Sequence, residues 1–369
     1  MAKVRVILCV FNNLQTDQRI EKICGTLHQN GYEVQLIGCS WDGLPEISRP
    51  YEVRRIVLRS KTLKLAYLEF NLKVYRLLKE MADKKTIIVA NDLDTLAAGS
   101  KAATKLKIPL IYDSHEIFTE MPSVQGRFVQ KIWRRLEAKY IGSVKYMMTA
   151  SRSYADWFEE RYQRAKPTVI QNFPLFQEDQ HSPENTHPKI IIYQGVINPS
   201  RGLDKIIPCM QKIKDAELWI AGKGPKYEEY RQLTQTLHLE DKVKFLGKLK
   251  PETLRAITQK ADVGLSIEEN NGLSYFYSLP NKVSDYIQAR VPVVVSNFPE
   301  MKRIVETYRV GATIANHSQN EMITTLETVL NNGKSHYLEN LNIAASKLNW
   351  EHEEPKLLAL YAKVCEENF

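Results

Sequence analysis

Leu279-Pro-Asn-Lys-Val-Ser-Asp-Tyr-Ile-Gln-Ala-Arg-Val-Pro-Val-Val-Val-Ser296 changes periodicity midway. Pro280 and Asn281 suit the first turn of a helix, which should run to about Arg290. Val291 to Ser296 is then a β-branched run, short enough for a strand covered on both faces in a parallel sheet. A helix N-terminus beside such strands offers unpaired N–H groups to an anion, and Lys282 adds a charge in the same turn. Asp285, one turn further, carries a carboxylate able to reach a sugar hydroxyl. The segment reads as a cradle for a nucleoside diphosphate, and its late position assigns the ligand to a second α/β domain.

Working outward, the same alternation fills 189–349. Strands are expected at Lys189–Gln194, Glu217–Ala221, Val243–Leu246, Val263–Ile267, Pro292–Ser296 and Ala312–Ala315, with helices at Leu203–Ile213, Lys226–Leu237, Pro251–Gln259 and Pro280–Gln288. An equivalent series precedes it, with strands at Val4–Val10, Glu33–Gly38, Val53–Val57, Thr86–Ala90, Pro109–Asp113, Tyr146–Ser151 and Thr168–Asn172. Residues 173–188, with Pro174, Pro183 and Pro188, read as a linker. Trp350 to Val364 is helical and is grouped with the first domain. The expectation is α/β: two doubly wound, Rossmann-like domains, 1–172 plus 350–369 and 189–349, facing across a cleft.

A chain of 369 residues with 43% apolar and 25% charged residues is ordinary for two globular domains. It has no apolar run long enough to span a bilayer, and Val4–Val10 is too short for a signal-peptide core, so a cytoplasmic protein is expected. Cys9, Cys24, Cys39, Cys209 and Cys365 are scattered without a Cys-x-x-Cys pair, which suggests buried free thiols and neither disulfides nor zinc. The net charge of +8 is lopsided: residues 1–172 hold 28 Lys+Arg against 18 Asp+Glu, and the remainder 23 against 25. A basic first half suits nucleic acid, an anionic membrane or an anionic substrate. Nucleic acid is set aside because no helix-turn-helix, zinc-finger or aromatic RNA-binding motif is present.

Three strand ends carry chemistry. Tyr193 to Asp204 leaves a strand through Gly195 and reaches Arg201, whose guanidinium can grip a diphosphate with two parallel hydrogen bonds, although a solvated arginine in a turn would look the same. Trp219-Ile-Ala-Gly-Lys-Gly-Pro225 is a second strand–glycine–helix junction, at Gly222 and Gly224; tight turns alone would account for it. Asp113-Ser-His-Glu116 places His115 among carboxylates, where it would orient a reacting sugar, shuttle a proton or serve as a structural hydrogen-bond partner. In Asn91-Asp-Leu-Asp94 either Asp92 or Asp94 is read as a helix N-cap in preference to a metal ligand, and no other His/Asp/Glu cluster has metal-ligand spacing. Asn12 and Asn13 stand where a nicotinamide enzyme would have its glycine-rich loop. On the helix near 63–81, Leu63, Ala66, Tyr67, Phe70, Val74, Leu77, Leu78 and Met81 form one apolar stripe, and Leu65, Leu68, Leu72 and Tyr75 form another. On the helix near 128–140 the apolar positions are Phe128, Ile132, Leu136 and Tyr140. Both helices are ringed by Lys and Arg, which suits either a solvated face or docking onto anionic lipid headgroups.

The ordered set of motifs resembles the family 4 retaining glycosyltransferases. It comprises Ser278-Leu-Pro-Asn-Lys282 with Asp285-Tyr-Ile-Gln-Ala-Arg-Val-Pro-Val294, Ala221-Gly-Lys-Gly-Pro225, Phe245-Leu-Gly247, Asp113-Ser-His-Glu116, Asn172 and Trp350-Glu351. The resemblance covers nearly the whole chain and implies the two-domain GT-B architecture, a nucleotide-sugar donor, a saccharide or lipid-linked acceptor and no required metal or other cofactor. It implies an active-site role for His115 near the donor sugar, a diphosphate-holding role for Arg201, ribose binding by Asp285 and backbone around Lys248 facing the base. Gly195, Gly222, Gly224 and Asn281 complete the expected donor site. The chain departs from the family at Tyr277, where the Glu-x7-Glu pattern has its first glutamate, and at Val196, where many members have a second arginine. Glu268 and Glu269 lie too far upstream for the glutamate spacing, and Lys282 is expected to replace the missing charge. Two other readings are a nucleotide-sugar 2-epimerase and a non-catalytic partner subunit of the same architecture.

Overall fold

The computed structural model describes residues 3–41, 46–178 and 188–369. The chain divides into two compact units, Met1–Asn172 with Glu353–Phe369, and Phe173–His352. The expected linker falls largely outside the described residues.

Among the described residues the first unit holds a parallel sheet of β1 (Arg5–Cys9), β2 (Glu33–Ser40), β3 (Glu52–Val57), β4 (Thr86–Asn91), β5 (Leu110–Ser114), β6 (Tyr146–Thr149) and β7 (Thr168–Val169), in the order β3-β2-β1-β4-β5-β6-β7. β4 and β5 are buried throughout. Helices on both faces explain why they read as continuous apolar runs and not as alternating ones. At the edge, β3 alternates, and its outward side carries Glu52 and Arg54. The C-terminal helix Trp350–Asn368 packs on this unit through Leu357, Tyr361 and Val364, which are inaccessible to solvent. Four of the five cysteines are buried, whereas Cys365 on that helix is half-exposed.

The second sheet contains β8 (Lys189–Gln194), β9 (Ala216–Ala221), β10 (Val243–Gly247), β11 (Val263–Ser266), β12 (Val293–Ser296) and β13 (Gly311–Ile314), in the order β10-β9-β8-β11-β12-β13. Chain order reverses between β8 and β11. At such a point the loops leaving two neighbouring strands turn in opposite directions, and a crevice opens beyond their carboxyl ends. The stretch 279–296 behaves nearly as its sequence suggests: Pro280 precedes the helix Asn281–Gln288, and β12 follows. That helix stops two residues short of the expected Arg290, which instead takes a left-handed φ of 57°.

The helices Pro299–Tyr308 and Gln319–Lys347 were not foreseen. The second is broken by Gly333 (φ 75°, ψ 163°), which interrupts the apolar periodicity expected of one long helix.

Candidate active site

In the second unit, the residues expected to form the donor site follow the carboxyl ends of β8 (Gly195, Arg201), β9 (Gly222, Gly224), β10 (Lys248) and β11 (Asn281, Lys282, Asp285). β8 and β9 pair in register to their last residues, Gln194 opposite Ala221. The following residues, Gly195 and Gly222, therefore meet backbone to backbone. A Cβ on Gly222 (φ 153°) would lie 1.8 Å from the Gly195 carbonyl oxygen, and one on Gly224 would lie 2.5 Å from that of Ile197. These two glycines are required by the packing of the loops, whatever binds there. Gly195 differs, because above it a Cβ would meet only Lys282 Cε at 3.7 Å and the Tyr193 hydroxyl at 3.8 Å. Its backbone is open toward the lysine.

Glu268 organises the charges. It follows β11, is 1% exposed, and accepts from Lys282 Nζ at 2.8 Å, Arg201 Nη1 at 3.4 Å and Ser266 Oγ at 2.7 Å. Ser296 Oγ, at the end of β12, donates to the Glu268 carbonyl at 2.6 Å and fixes the segment. Burial raises the carboxyl's pKa, but the two cations outweigh it and hold the group below its usual range. Each cation also lies over a ring, Lys282 over Tyr193 at 4.1 Å and Arg201 over Tyr275 at 4.9 Å. Two positive charges held by a single carboxylate leave one in excess beside the N-terminus of the helix Asn281–Gln288. That is the electrostatic setting of a phosphate site.

Asp285, one turn into the helix, accepts from Gln194 Nε2 at 3.1 Å, and Thr258 Oγ1 donates to the other end of that amide at 2.7 Å. Asn281 is exposed at the first position of the helix, and Lys248 is exposed just beyond β10. Tyr277 packs against Phe276 at 5.2 Å, and Val196 is 57% exposed. The position dismissed on spacing grounds, Glu268, is the one that joins Arg201 to Lys282. Its signal was legible: a glutamate directly after a buried strand has no apolar reason to be there.

In the first unit, His115 follows β5 and is gripped from both sides. Its Nε2 lies 3.0 Å from Asp113 Oδ2, its Nδ1 lies 3.3 Å from Asp92 Oδ2, and its backbone N–H donates to Asp92 Oδ1 at 2.8 Å. Burial lowers the imidazole pKa, but Asp92 and Asp113 outweigh this and raise it to about 9. The ring is therefore a cation at neutral pH. Asp113 is wholly buried, and Arg19 meets it with a two-point fork at 3.1 and 2.7 Å. Burial raises Asp113, yet Arg19 and His115 bring it down to about 2.

Of the two aspartates, Asp92 does stand at the N-cap position of the helix Leu93–Leu106, but it makes no side-chain cap bond, because its carboxylate is committed to His115. Its backbone takes φ 59°, ψ 169°, a conformation that costs a non-glycine residue about 1–3 kcal/mol. Asp94 Oδ1 is buried without a hydrogen-bond partner, and burial, reinforced by Asp92, lifts its carboxyl well above the usual range. Glu116 is raised to about 7 by burial and Asp92, against the pull of His115. Asp92, Asp94, Asp113, His115 and Glu116 thus form one titrating cluster, of which the sequence had grouped Asp113, His115 and Glu116 but had set Asp92 and Asp94 apart as a cap. Arg19 carried no signal, since a single arginine on an amphipathic helix usually faces solvent.

Residues 176–347 match the family model for glycosyl transferases group 1, and residues 18–173 match that for Glycosyltransferase Family 4. This chain belongs to the group 1, family 4 glycosyltransferases. Curated relatives match over short stretches. The lipopolysaccharide core biosynthesis glycosyltransferase LpsD of Rhizobium meliloti is 28% identical over 86 residues, 23% of each chain. The GPI3 subunit of phosphatidylinositol N-acetylglucosaminyltransferase of Saccharomyces cerevisiae is 28% identical over 80 residues, 21% of this chain and 18% of its own. The alignments thus span less than a quarter of either relative. Among solved structures, sucrose-phosphate synthase from Thermosynechococcus elongatus superposes with TM-score 0.79 at 15% identity, covering 99% of this chain and 100% of that one. HepE from Anabaena, solved with UDP and glucose, gives 0.76 at 14% identity, covering 98% and 100%. These likenesses establish the GT-B fold of this chain.

Proposed function

We propose that this glycosyltransferase moves a hexose from a UDP- or GDP-sugar to an acceptor hydroxyl with retention at the anomeric carbon, in the assembly of a polysaccharide, glycolipid or lipid-linked saccharide. The observation that carries the reading is the convergence of Arg201 and Lys282 on Glu268 at the β8/β11 switch point. As the bond from the anomeric carbon to the phosphate oxygen breaks, its electron pair passes to the diphosphate. Arg201, Lys282 and the amides of the helix Asn281–Gln288 meet that charge, so the scheme needs no metal. The acceptor oxygen bonds to the same carbon on the same face and gives its proton to the departing phosphate oxygen. Asp285, steadied by Gln194, takes the ribose, and backbone at Lys248 takes the base. The His115 imidazolium, whose two ring N–H groups are taken by Asp113 and Asp92, is held as a fixed positive charge and is not free to act as a lone base. The names of the LpsD and GPI3 relatives, and of HepE with UDP and glucose, support a glycoconjugate acceptor and a nucleotide-sugar donor.

Thermal-shift screening against UDP-, GDP-, ADP- and CMP-sugars tests the donor site. One nucleotide family should raise the melting temperature, and the shift should shrink in an Arg201→Ala chain. If no nucleotide stabilises the protein, the assignment is lost. The carboxylates around His115 also favour a second reading, an acid–base epimerase acting on the donor. Incubating the donor without acceptor decides between the two, since only an epimerase would produce an isomer of the nucleotide sugar.

A further inference from the structure

The helices Leu63–Met81 and Phe128–Ile141 both pack against the helix Leu93–Leu106 of the first unit, and Tyr67 of one meets Trp133 of the other edge-on at 5.5 Å. Each has an inward face that accounts for its place in the core. On the first helix this face is Ala66, Phe70, Val74 and Leu78, all buried. On the second, Val129, Trp133, Leu136 and Tyr140 pack against the core. Each helix also has an outward apolar stripe that the core does not need. Leu65, Leu68 and Leu72 are 58%, 59% and 54% exposed, and Phe128 and Ile132 are 76% and 50% exposed. Spacings of three and four residues place each set on one side of its helix. Single exposed leucines are ordinary, but five large side chains on the outer sides of two helices packed on the same third helix are not.

The flanking charges identify the occupant. Lys64, Arg76 and Lys79 border the leucines, and Lys131, Arg135 and Lys139 border Phe128 and Ile132; all six are exposed. Among the described residues none of the six forms an ion pair with a carboxylate; the nearest partners are rings, Tyr75 beneath Lys79 and Tyr140 beneath Lys139. The acidic residues of these helices do little to offset them, since Glu69 is engaged by Lys73 and Glu137 is buried, leaving Glu80 exposed. A protein partner of ordinary composition would bring charges of both signs. A surface of apolar side chains ringed by unpaired cations matches a bilayer with anionic headgroups, into which leucine, isoleucine and phenylalanine sink while lysine and arginine stay at phosphate level. None of the helices among the described residues is long and apolar enough to cross a membrane, so the contact is one of lying on the surface.

We infer that the outer faces of these two helices dock this enzyme onto an anionic lipid surface, with Leu65, Leu68, Leu72, Phe128 and Ile132 as the inserting side chains. The inference goes beyond the proposed reaction and does not depend on it.

The test is co-sedimentation of the full chain with vesicles of phosphatidylcholine alone and of phosphatidylcholine mixed with phosphatidylglycerol, at low and high salt. Binding should require the anionic lipid and fall about tenfold or more between low and high salt. Leu65→Ser/Leu68→Ser/Leu72→Ser and, separately, Phe128→Ser/Ile132→Ser should each weaken binding to anionic vesicles at least about tenfold. Because these side chains are exposed, melting temperature and nucleotide-induced shifts should match wild type. Three results would overturn the inference: no preference for anionic vesicles, variants that bind as well as wild type, or a concentration-dependent dimer that the variants abolish while vesicles remain unbound. Loss of nucleotide shifts in the wild type would count against the donor site alone.

Discussion

Replacing Glu268 by glutamine keeps the shape of the buried carboxylate and removes its charge. In the native chain that charge is shared by Lys282, whose side chain is 10% exposed, and Arg201, whose side chain is 21% exposed. Breaking a buried ion pair by removing one partner costs about 3–5 kcal/mol. Glutamine retains one acceptor oxygen and Tyr193 still faces Lys282, so the loss expected for Glu268→Gln is about 2–4 kcal/mol. For a unit of this size that is a fall of roughly 4–16 °C in melting temperature. A bound nucleoside diphosphate would return a negative charge to the two cations. Nucleotide should therefore stabilise the variant more than the wild type and bind it at least about tenfold more tightly, a difference of about 1.4 kcal/mol. Scanning calorimetry with and without UDP or GDP, with titration calorimetry for affinity, reads both effects. The paired Glu268→Gln/Lys282→Met chain should recover stability and lose the gain in affinity, because it carries no unbalanced lysine. If Glu268→Gln is as stable as wild type and binds nucleotide no better, the electrostatic account of this site is wrong.

Three further outcomes follow from the same geometry. Arg201→Ala should lower kcat/KM by the equivalent of about 2–4 kcal/mol of transition-state stabilisation, with most of the loss in kcat if the charge is met mainly as the diphosphate departs; unchanged turnover removes Arg201 from the chemistry. Asp92→Asn should bring His115 down from about 9 toward its ordinary 6.5, as followed by NMR of the imidazole. A raised histidine pKa stabilises the fold fully below pH 6.5 and loses that contribution as the pH rises through about 9, so the stability gap between wild type and variant should be widest in mildly acid solution, where Asp92 is still ionised, and close toward pH 9. A gap that widens with rising pH would show that Asp92 does not act through His115. Gly222→Ala should cost about 3 kcal/mol or more, since its methyl group would overlap the Gly195 carbonyl and the backbone cannot retreat without parting the two loops; an unchanged melting temperature would mean that the loops are not packed as described.

The sequence by itself determined the two doubly wound sheets and the placement of Gly195, Arg201, Lys282 and Asp285 in the loops that follow β8 and β11 of the second sheet. Strand-length β-branched runs bounded by glycine and proline are local signals, and in a parallel sheet each such strand delivers its following loop to the same edge. Residues at those loops can thus be grouped before any contact is known. Only the tertiary structure decided what those residues touch. The pairing of Glu268 with both cations joins positions 201, 268 and 282, and no spacing rule links 201 to the other two because it follows β8 whereas they follow β11. Asp92 reads as a helix cap along the chain and becomes a partner of His115 because β4 and β5 lie side by side. The helix Leu63–Met81 carries two apolar stripes of similar strength. Which one enters the core was settled by the neighbours it packs against, and the stripe left outside then became the surface proposed to meet lipid.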